Sequence, residues 1–219
     1  MTADYHKLEW QASHGGVTVD CTLDIAIHPA DNQVILLTVP GLDGSVDGYQ
    51  DKYVHIAESV QEQHGAAVVR MSNPFISSFH FESNLRRALA YIEEHAVAIC
   101  GSDEYELRIM AHSAGASVAG QIAWEYPYIT RLLLMNPATK LGLDLIQTGL
   151  EAFGGDTVTI LFGSKDPSFG NAHVLSSSKA PDKIKMLIVD GADHHFSGAA
   201  FPIFLAAPHV HLFDQAVST

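Results

Sequence analysis

The chain has 219 residues, 47% of them hydrophobic, and 12 Lys and Arg residues against 25 Asp and Glu residues give it a formal net charge of −13. This length fits a single domain over residues 1–219 that buries roughly 70% of the surface of the unfolded chain, and the composition excludes a disordered chain. The negative charge disfavours nucleic acids and anionic membrane surfaces as partners, since both would repel it.

Strands and helices alternate along most of the chain. Residues 17–27 alternate apolar and polar side chains, as in a half-exposed strand, and residues 33–39 form the continuous apolar run of a strand buried on both faces. Further strands are predicted over residues 66–71, 107–111, 131–136, 157–163 and 184–190. Helices are predicted over residues 49–63, 82–99, 114–125 and 141–152. The alternation predicts an α/β protein with a mostly parallel central sheet and helices on both faces.

Two of the predicted elements carry further expectations. The helix over residues 82–99 is amphipathic. Its expected core contacts are Leu85, Leu89, Ile92 and Val97. The apolar stretch 201–213, FPIFLAAPHVHLF, contains two prolines and is expected to pack as a short helix or an irregular tail. The alternative is an exposed surface that contacts lipid or a second copy of the chain, so a homodimer stays open.

Location and cofactors are inferred from patterns that the sequence lacks. No apolar run reaches the roughly 20 residues of a membrane span. The start, MTADYHKLEW, has neither a basic nor an apolar signal region, so a cytoplasmic location is expected. Cys21 and Cys100 lie far apart, which predicts two reduced, largely buried thiols. The paired histidines at 194–195 and 209–211 have no companion set with zinc-enzyme spacing, so neither a metal nor another cofactor is predicted.

Chemically capable side chains follow four of the predicted strands, at the carboxyl ends where parallel sheets hold their active sites. The four loops are residues 40–45 (PGLDGS), 112–115 (HSAG), 164–167 (SKDP) and 191–196 (GADHHF). A serine, an acid and a histidine therefore occur in the order Ser113, Asp166, His194, each just past a predicted parallel strand.

Ser113 lies between a buried strand and a predicted helix. Its small neighbours, among them Ala111 and Gly115, permit a tight turn that lifts the hydroxyl out of the sheet. The N-terminus of the following helix favours developing negative charge. The alternative is a serine that only caps that helix, but the position between strand and helix favours a nucleophile.

Asp166 and His194 have complementary predicted roles. His194 would act as general base and then as general acid, and Asp166 would orient the imidazole and stabilise its cation. Taken singly, an Asp before Pro is typical of a turn and a loop histidine of ordinary polar surface, so the interpretation depends on the three residues occurring together. His195 follows the same strand and competes with His194, while Asp193 is interpreted as a turn residue.

Acyl transfer also needs backbone N–H groups directed at the oxyanion. One would come from Ala114 and a second from the turn over residues 41–44, with Leu42 as the preferred donor and Asp43 as the second choice. The alternative is a tight turn without a catalytic role. Substrate-binding candidates near the strand ends, several of which could equally be core or turn residues, are Asp43, Asn73, Phe75, Phe79, Asn136 and Phe169.

These motifs, in this order, resemble the α/β-hydrolase family. The resemblance runs over nearly the whole chain, from QVILLTVPGLDGS through IMAHSAGAS and TILFGSKDP to IVDGADHHF. AHSAG resembles the nucleophile elbow in a variant, found among small lipases, with Ala for the first Gly. GADHHF resembles the Gly-x-x-His-x-Phe loop, which places His194 in the catalytic position. Pro40-Gly41 departs from the usual His-Gly before the oxyanion loop.

The resemblance implies a serine hydrolase that cleaves a small-molecule carboxylic ester or thioester through an acyl-enzyme on Ser113. About 20 residues separate the strands over 131–136 and 157–163, which leaves room for one helix but not for a lid domain. An open site and a soluble substrate of small to medium size are therefore expected. The alternatives are a non-catalytic binding protein on this fold, an amidase, an acyltransferase or a C–C hydrolase. Ser113 in the nucleophile position disfavours halide-releasing enzymes and lactone hydrolases of the Cys type.

Overall fold

The structure, a computed structural model, describes residues 3–77, 80–176 and 183–214. The chain divides into two units, Met1–Tyr105 and Glu106–Thr219, which are described in turn. A single domain over the whole chain stays a prediction.

The first unit is built on four strands. They are β1 (Asp4–His14), β2 (Val17–His28), β3 (Val34–Val39) and β4 (Ala67–Met71). Their order is β1-β2-β4-β3, in which β3 and β4 are parallel and the other pairs are antiparallel. Strand β3 is almost wholly buried, as its apolar run predicts, and β4 is buried along its whole length although it contains Arg70.

The sequence pattern does not predict β1. Among residues 4–13 of this strand, Leu8 and Ala12 alone belong to the buried core, so its apolar signal is weak. Pairing with β2 specifies it instead, with Asp4 opposite Ile27 at one end of the hairpin and His14 opposite Val17 at the other. A strand defined by its partner in this way is not visible from its own residues.

Two helices complete the first unit. Helix α1 (Lys52–His64) packs on β4 and ends at Gly65, whose φ of 64° suits a glycine cap. Helix α2 (Ser83–Cys100) packs on β2, β3 and β4. Its predicted core residues Leu85, Leu89 and Ile92 are buried, but the prediction for Val97 is wrong, since that side chain is 62% exposed. The buried face continues instead through its neighbours Ala96, Ile99 and Cys100.

The second unit contains four parallel strands that lie side by side in chain order. They are β5 (Glu106–His112), β6 (Ile129–Met135), β7 (Thr157–Gly163) and β8 (Ile184–Val189). The helices are α3 (Ala114–Ile122), α4 (Leu143–Ala152), α5 (Ala172–Ser176) and α6 (Phe201–His211). Only a 3₁₀ turn, Thr139–Leu141, and α4 lie between β6 and β7, so this segment holds no lid, as predicted.

Helices cover both faces of the sheet in the second unit. Each of the helices α3, α4 and α5 connects one parallel strand to the next in the order β5-β6-β7-β8. Because such crossover connections are right-handed, the three helices lie on the same face of the sheet. Helix α6 packs on the other face, where Arg108 and His112 lie on alternate positions of β5. The ring of His112 contacts Phe204 of α6 edge-on, and the Arg108 guanidinium donates to the Leu212 carbonyl at 2.8 Å. These observations confirm the predicted α/β class.

The apolar C-terminal stretch forms helix α6 despite its prolines. Pro202 lies in the first turn, where a missing N–H costs nothing, while Pro208 lies inside the helix. Arg108 and Arg131 both donate to the carbonyl of Leu212, just after the helix. Positive charge at this end complements the helix dipole and ties α6 to β5 and β6. The alternative role as a dimer or lipid contact stays a prediction.

Helices α3 and α4 approach most closely at Gly149. A Cβ added there would lie 2.2 Å from the Gly120 carbonyl oxygen and 2.6 Å from that of Gln121. We expect Gly149→Ala to lower the free energy of unfolding by about 1–3 kcal/mol, because the helices must separate. Urea unfolding measures this change. Gly154→Ala is the matched control, since its Cβ would meet nothing within 4 Å. Equal midpoints for the two variants would contradict the close approach.

Candidate active site

Ser113 occupies a strained turn between β5 and α3. Its φ of 56° and ψ of −120° are rarely adopted by a residue with a side chain. The turn is held by a hydrogen bond from the Ser113 N–H to the Met135 carbonyl at 2.9 Å and by one from the Ala138 N–H to the Ser113 carbonyl at 3.2 Å. The Ser113 side chain makes no capping bond to α3, so the geometry does not support the alternative of a simple helix cap.

His194 connects Ser113 to Asp166, all three within the second unit. The Nε2 atom of His194 lies 2.8 Å from the Ser113 Oγ, and its Nδ1 lies 2.5 Å from the Asp166 Oδ2. A carboxylate only accepts, so Nδ1 carries the proton and Nε2 accepts the hydrogen bond of the Ser113 hydroxyl. The Asp166 side chain is fully buried and the His194 side chain is 29% exposed. The serine oxygen is thus paired with an imidazole in the tautomer that can accept its proton.

Asp166 is held in place from its other side. Its Oδ1 accepts a hydrogen bond from the Ser168 N–H at 2.6 Å, so each carboxylate oxygen has a separate donor. The Asp166 backbone N–H donates to the Gly163 carbonyl at 3.0 Å, directly at the end of β7. The carboxylate is therefore fixed to the sheet and faces the imidazole.

His195 takes a different position from its neighbour. Its side chain is exposed, and its backbone N–H donates to the Asp193 Oδ1 at 3.1 Å. Asp193 also accepts from the Ser197 N–H at 2.8 Å, and this bond is the main reason that the Asp193 pKa lies below its ordinary value. Asp193 therefore has the contacts of a turn residue, and the geometry brings His194 to Ser113.

Neither the family models nor the curated proteins that were compared match this sequence. Solved structures do match. Est1E from Butyrivibrio proteoclasticus has a TM-score of 0.68 at 13% identity, covering 94% of this chain and 98% of that chain. An α/β serine hydrolase homologue from Coxiella burnetii has a TM-score of 0.67 at 14% identity, covering 99% of each. A dienelactone hydrolase from Anabaena variabilis has a TM-score of 0.64 at 16% identity, covering 96% and 98%.

The chain has the α/β-hydrolase fold. The fold class predicted from the sequence is confirmed, including the order of the strand ends that carry Ser113, Asp166 and His194. At these identities the likeness shows the fold alone, and the chemistry depends on the side chains of this chain.

The first turn of α3 supplies N–H groups in this α/β-hydrolase fold. The first N–H groups of a helix have no intrahelical acceptor. Ala114 begins α3 directly after Ser113, and its N–H has no acceptor among the residues that the structure describes. This N–H supports Ala114 as one donor of an oxyanion hole, and that role stays a prediction.

The loop after β3 narrows the choice for the second donor. The Asp43 N–H, the second choice for the oxyanion donor, donates to the Asn73 carbonyl at 2.9 Å. The prediction for Asp43 as a donor is therefore wrong, because its N–H is already bonded. The Leu42 N–H has no acceptor in residues 3–77, 80–176 or 183–214. Leu42 as an oxyanion donor stays a prediction.

Three of the six substrate-binding candidates, Asn73, Asp43 and Asn136, form side-chain hydrogen bonds within the protein. The buried Asn73 donates to the Pro40 carbonyl and accepts from the Asn84 amide, so both of its polar atoms are used. The Asp43 carboxylate accepts from the Phe75 N–H at 2.9 Å. The interpretation of Asn73 is corrected, because both polar atoms of its buried amide hold a loop, whereas the exposed Asp43 side chain stays a prediction.

Asn136 is corrected in the same way, because it is fully buried and its side-chain amide bonds only backbone groups. Phe75 is half-exposed and Phe169 half-buried, so both stay predictions, while Phe79 lies outside the described residues. Sequence patterns place such residues near strand ends but do not reveal which way an amide points.

Other expectations concern metals, membranes and thiols. In the described part of the chain, no group of three or more His, Cys, Asp or Glu side chains is placed to hold a metal ion. None of the helices described there combines the length and hydrophobicity needed to cross a bilayer. Cys21 and Cys100 are unpaired and buried, as predicted, and burial raises the pKa of both thiols.

Proposed function

We propose that this protein is a serine hydrolase that cleaves a carboxylic ester or thioester through an acyl-enzyme on Ser113. The observation that carries the proposal is the continuous chain of hydrogen bonds from the Ser113 Oγ through the His194 imidazole to the buried Asp166 carboxylate. The strained backbone of Ser113 is a second support, because strain of this kind gathers at functional sites.

In the acylation half-reaction, the Ser113 Oγ attacks the acyl carbon while its proton passes to the His194 Nε2. Asp166 stabilises the imidazolium that forms and keeps Nδ1 protonated. The negative charge that develops on the carbonyl oxygen is met by the Ala114 N–H and the N-terminus of α3. Collapse of the tetrahedral intermediate breaks the bond to the leaving alcohol or thiol, which takes the proton from His194.

Deacylation repeats these steps with water. His194 takes a proton from water as the oxygen attacks the acyl carbon of the Ser113 ester. Collapse releases the carboxylic acid and returns the proton to the Ser113 oxygen. No cofactor enters either half-reaction.

The fold neighbours and the short segment between β6 and β7 support the proposed substrate class. One solved structure of Est1E holds ferulic acid, and a thioesterase domain from the curacin biosynthetic pathway shares the fold with a TM-score of 0.62. Since the segment between β6 and β7 holds a single helix and no lid, we expect this protein to accept small to medium-sized soluble esters or thioesters.

A fluorophosphonate probe and an ester panel test the proposal. We expect the probe to label Ser113, identified by peptide mapping, and the wild-type protein to hydrolyse p-nitrophenyl acetate, butyrate or octanoate. Matching acyl thioesters separate thioesterase from esterase activity. A folded wild-type protein that neither labels nor turns over any of these compounds would contradict the proposal and favour a binding protein on this fold.

His194 and His195 form a matched pair of variants. We expect His194→Ala to lower kcat by at least about 10³-fold, because no other base is bonded to Ser113 in the described structure. His195→Ala is expected to stay close to wild type, since the exposed ring of His195 is not hydrogen-bonded to Ser113 or Asp166 there. Loss of turnover in His195→Ala alone would reverse the assignment.

A further inference from the structure

The side chain of Asn136 joins two of the loops that carry the candidate site. It follows β6 with a φ of 44°, and it is fully buried. Its Nδ2 donates to the carbonyls of Asp193 at 3.1 Å and His194 at 3.0 Å. Its Oδ1 accepts from the Gly163 N–H at 2.8 Å, at the end of β7. One amide therefore ties the loop of the base to the strand that leads to Asp166.

The position needs an asparagine for two reasons. A side chain that both donates and accepts is required, because it faces two carbonyl oxygens on one side and an N–H on the other. The left-handed backbone of Asn136 is also tolerated better by Asn than by most residues other than glycine. Aspartate would keep the acceptor and the size but would turn an oxygen toward two carbonyls.

His112 reaches the same carbonyl from another strand. Its side chain is buried at the end of β5, one residue before Ser113, and its Nε2 lies 2.7 Å from the His194 carbonyl oxygen. A carbonyl only accepts, so Nε2 is the protonated nitrogen. The His194 carbonyl therefore accepts two hydrogen bonds, one from the strand of the nucleophile and one from Asn136.

The loop of His194 also packs backbone against backbone. A Cβ added to Gly163 would lie 2.4 Å from the Ala192 carbonyl oxygen, so the end of β7 and this loop are in direct contact. With its carbonyl bonded twice and its neighbour in contact with β7, the backbone of His194 has little freedom. The direction of the imidazole follows from that backbone.

We propose that Asn136 and His112 are positioning residues that hold the backbone of His194 where its imidazole reaches Ser113 and Asp166 together. The inference rests on the proposed function, because it assigns these residues to the geometry of the same reaction. Neither side chain is hydrogen-bonded to Ser113 Oγ or Asp166 in the described structure, so both act through His194.

Three variants and one control separate an effect on the position of His194 from a general loss of protein stability. Asn136→Asp exchanges the donor for an oxygen, and His112→Leu removes the donor. His112→Gln keeps an N–H at a similar reach. Gln121→Ala is the control, because it deletes a part-buried amide bond to the Leu141 carbonyl within the same unit. Circular dichroism establishes that each variant folds, and thermal unfolding ranks their stability.

The first readouts are the rate of fluorophosphonate labelling and the kcat and KM for p-nitrophenyl butyrate. Displacement of a reacting group by about 1 Å lowers rates on the order of 10²-fold, so we expect Asn136→Asp and His112→Leu to lose about 10- to 100-fold in labelling rate and kcat with little change in KM. His112→Gln is expected to recover most of the rate. Gln121→Ala is expected to lower the melting temperature without changing the labelling rate.

The second readout does not need activity. The His194 Nδ1 proton, bonded to Asp166, is expected to give a far-downfield proton resonance in wild type and His112→Gln, and to lose it in Asn136→Asp and His112→Leu. Folded variants that keep both the wild-type labelling rate and this resonance overturn the inference. If the wild type neither labels nor turns over any of the esters and thioesters, the proposed function fails, and the resonance alone decides the positioning. If Asn136→Asp does not fold, the two His112 variants decide it.

Discussion

Replacing Ser113 by alanine is expected to lower kcat for p-nitrophenyl esters by about 10⁴- to 10⁶-fold, with only residual hydrolysis left. The reason is that the Ser113 Oγ is the group bonded to the His194 Nε2 at 2.8 Å. Alanine keeps the Cβ, so the backbone and the neighbouring loops should not move. Steady-state kinetics and loss of fluorophosphonate labelling measure the effect.

A glycine at position 113 separates the loss of the nucleophile from the relief of backbone strain. Ser113→Gly should be as inactive as Ser113→Ala, but it relieves a backbone at φ 56° and ψ −120°. We expect the glycine variant to be more stable than the alanine variant by about 1–2 kcal/mol, as measured by urea unfolding. Wild-type turnover in Ser113→Ala would place the nucleophile elsewhere. Equal stability of the two variants would show that this turn stores no strain.

The sequence predicts the parts of the fold that its own residues define. Strands β3 and β7 are predicted to within a residue, and β3 shows the apolar run that burial on both faces produces. Strand β1 escapes prediction, because its few buried side chains leave its pairing with β2 to define it. Val97 shows how far helical periodicity can predict burial. It lies one position beyond the buried face of α2, and its side chain is exposed.

The sequence predicts which residue types form the candidate site, but it does not predict the hydrogen bonds between them. Ser113 and Asp166 follow buried parallel strands, and topology brings such strand ends to one edge. The spacing of strands and loops does not distinguish His194 from the adjacent His195, and only the resemblance of GADHHF to a family motif favours His194. In the structure the difference depends on the turn at Asp193 and on the bonds to the His194 carbonyl.

The roles of Asn136 and His112 also escape the sequence, although signals exist for both. An asparagine just after a strand favours a left-handed turn, and His112 stands inside the elbow motif on a strand position with its own facing direction. Neither sequence signal identifies the carbonyl group that accepts the hydrogen bond of each side chain. From the sequence alone, a buried polar residue near a strand end can be interpreted equally well as a pocket residue or as a positioning residue.

Replacing Asp166 by asparagine is expected to lower kcat by about 10⁴-fold while KM changes little. The carboxylate holds the His194 proton on Nδ1, which leaves Nε2 able to accept from Ser113. An amide of the same shape can turn its NH₂ toward Nδ1 and favour the tautomer with the proton on Nε2, which cannot act as the base. Kinetics with p-nitrophenyl butyrate measure the loss.

Asp190→Asn is the matched control for Asp166→Asn. Asp190 follows β8 and accepts from the Ser164 hydroxyl at 3.1 Å, but it has no hydrogen bond to His194 in the described structure. Its variant makes the same change from carboxylate to amide, keeps an oxygen that can accept from Ser164, and should keep wild-type kcat. A large loss in Asp166→Asn with Asp190→Asn unchanged assigns the effect to the tautomer of His194. Equal losses in both variants would mean that removing a loop carboxylate is itself disruptive, and wild-type kcat in Asp166→Asn would remove Asp166 from the mechanism.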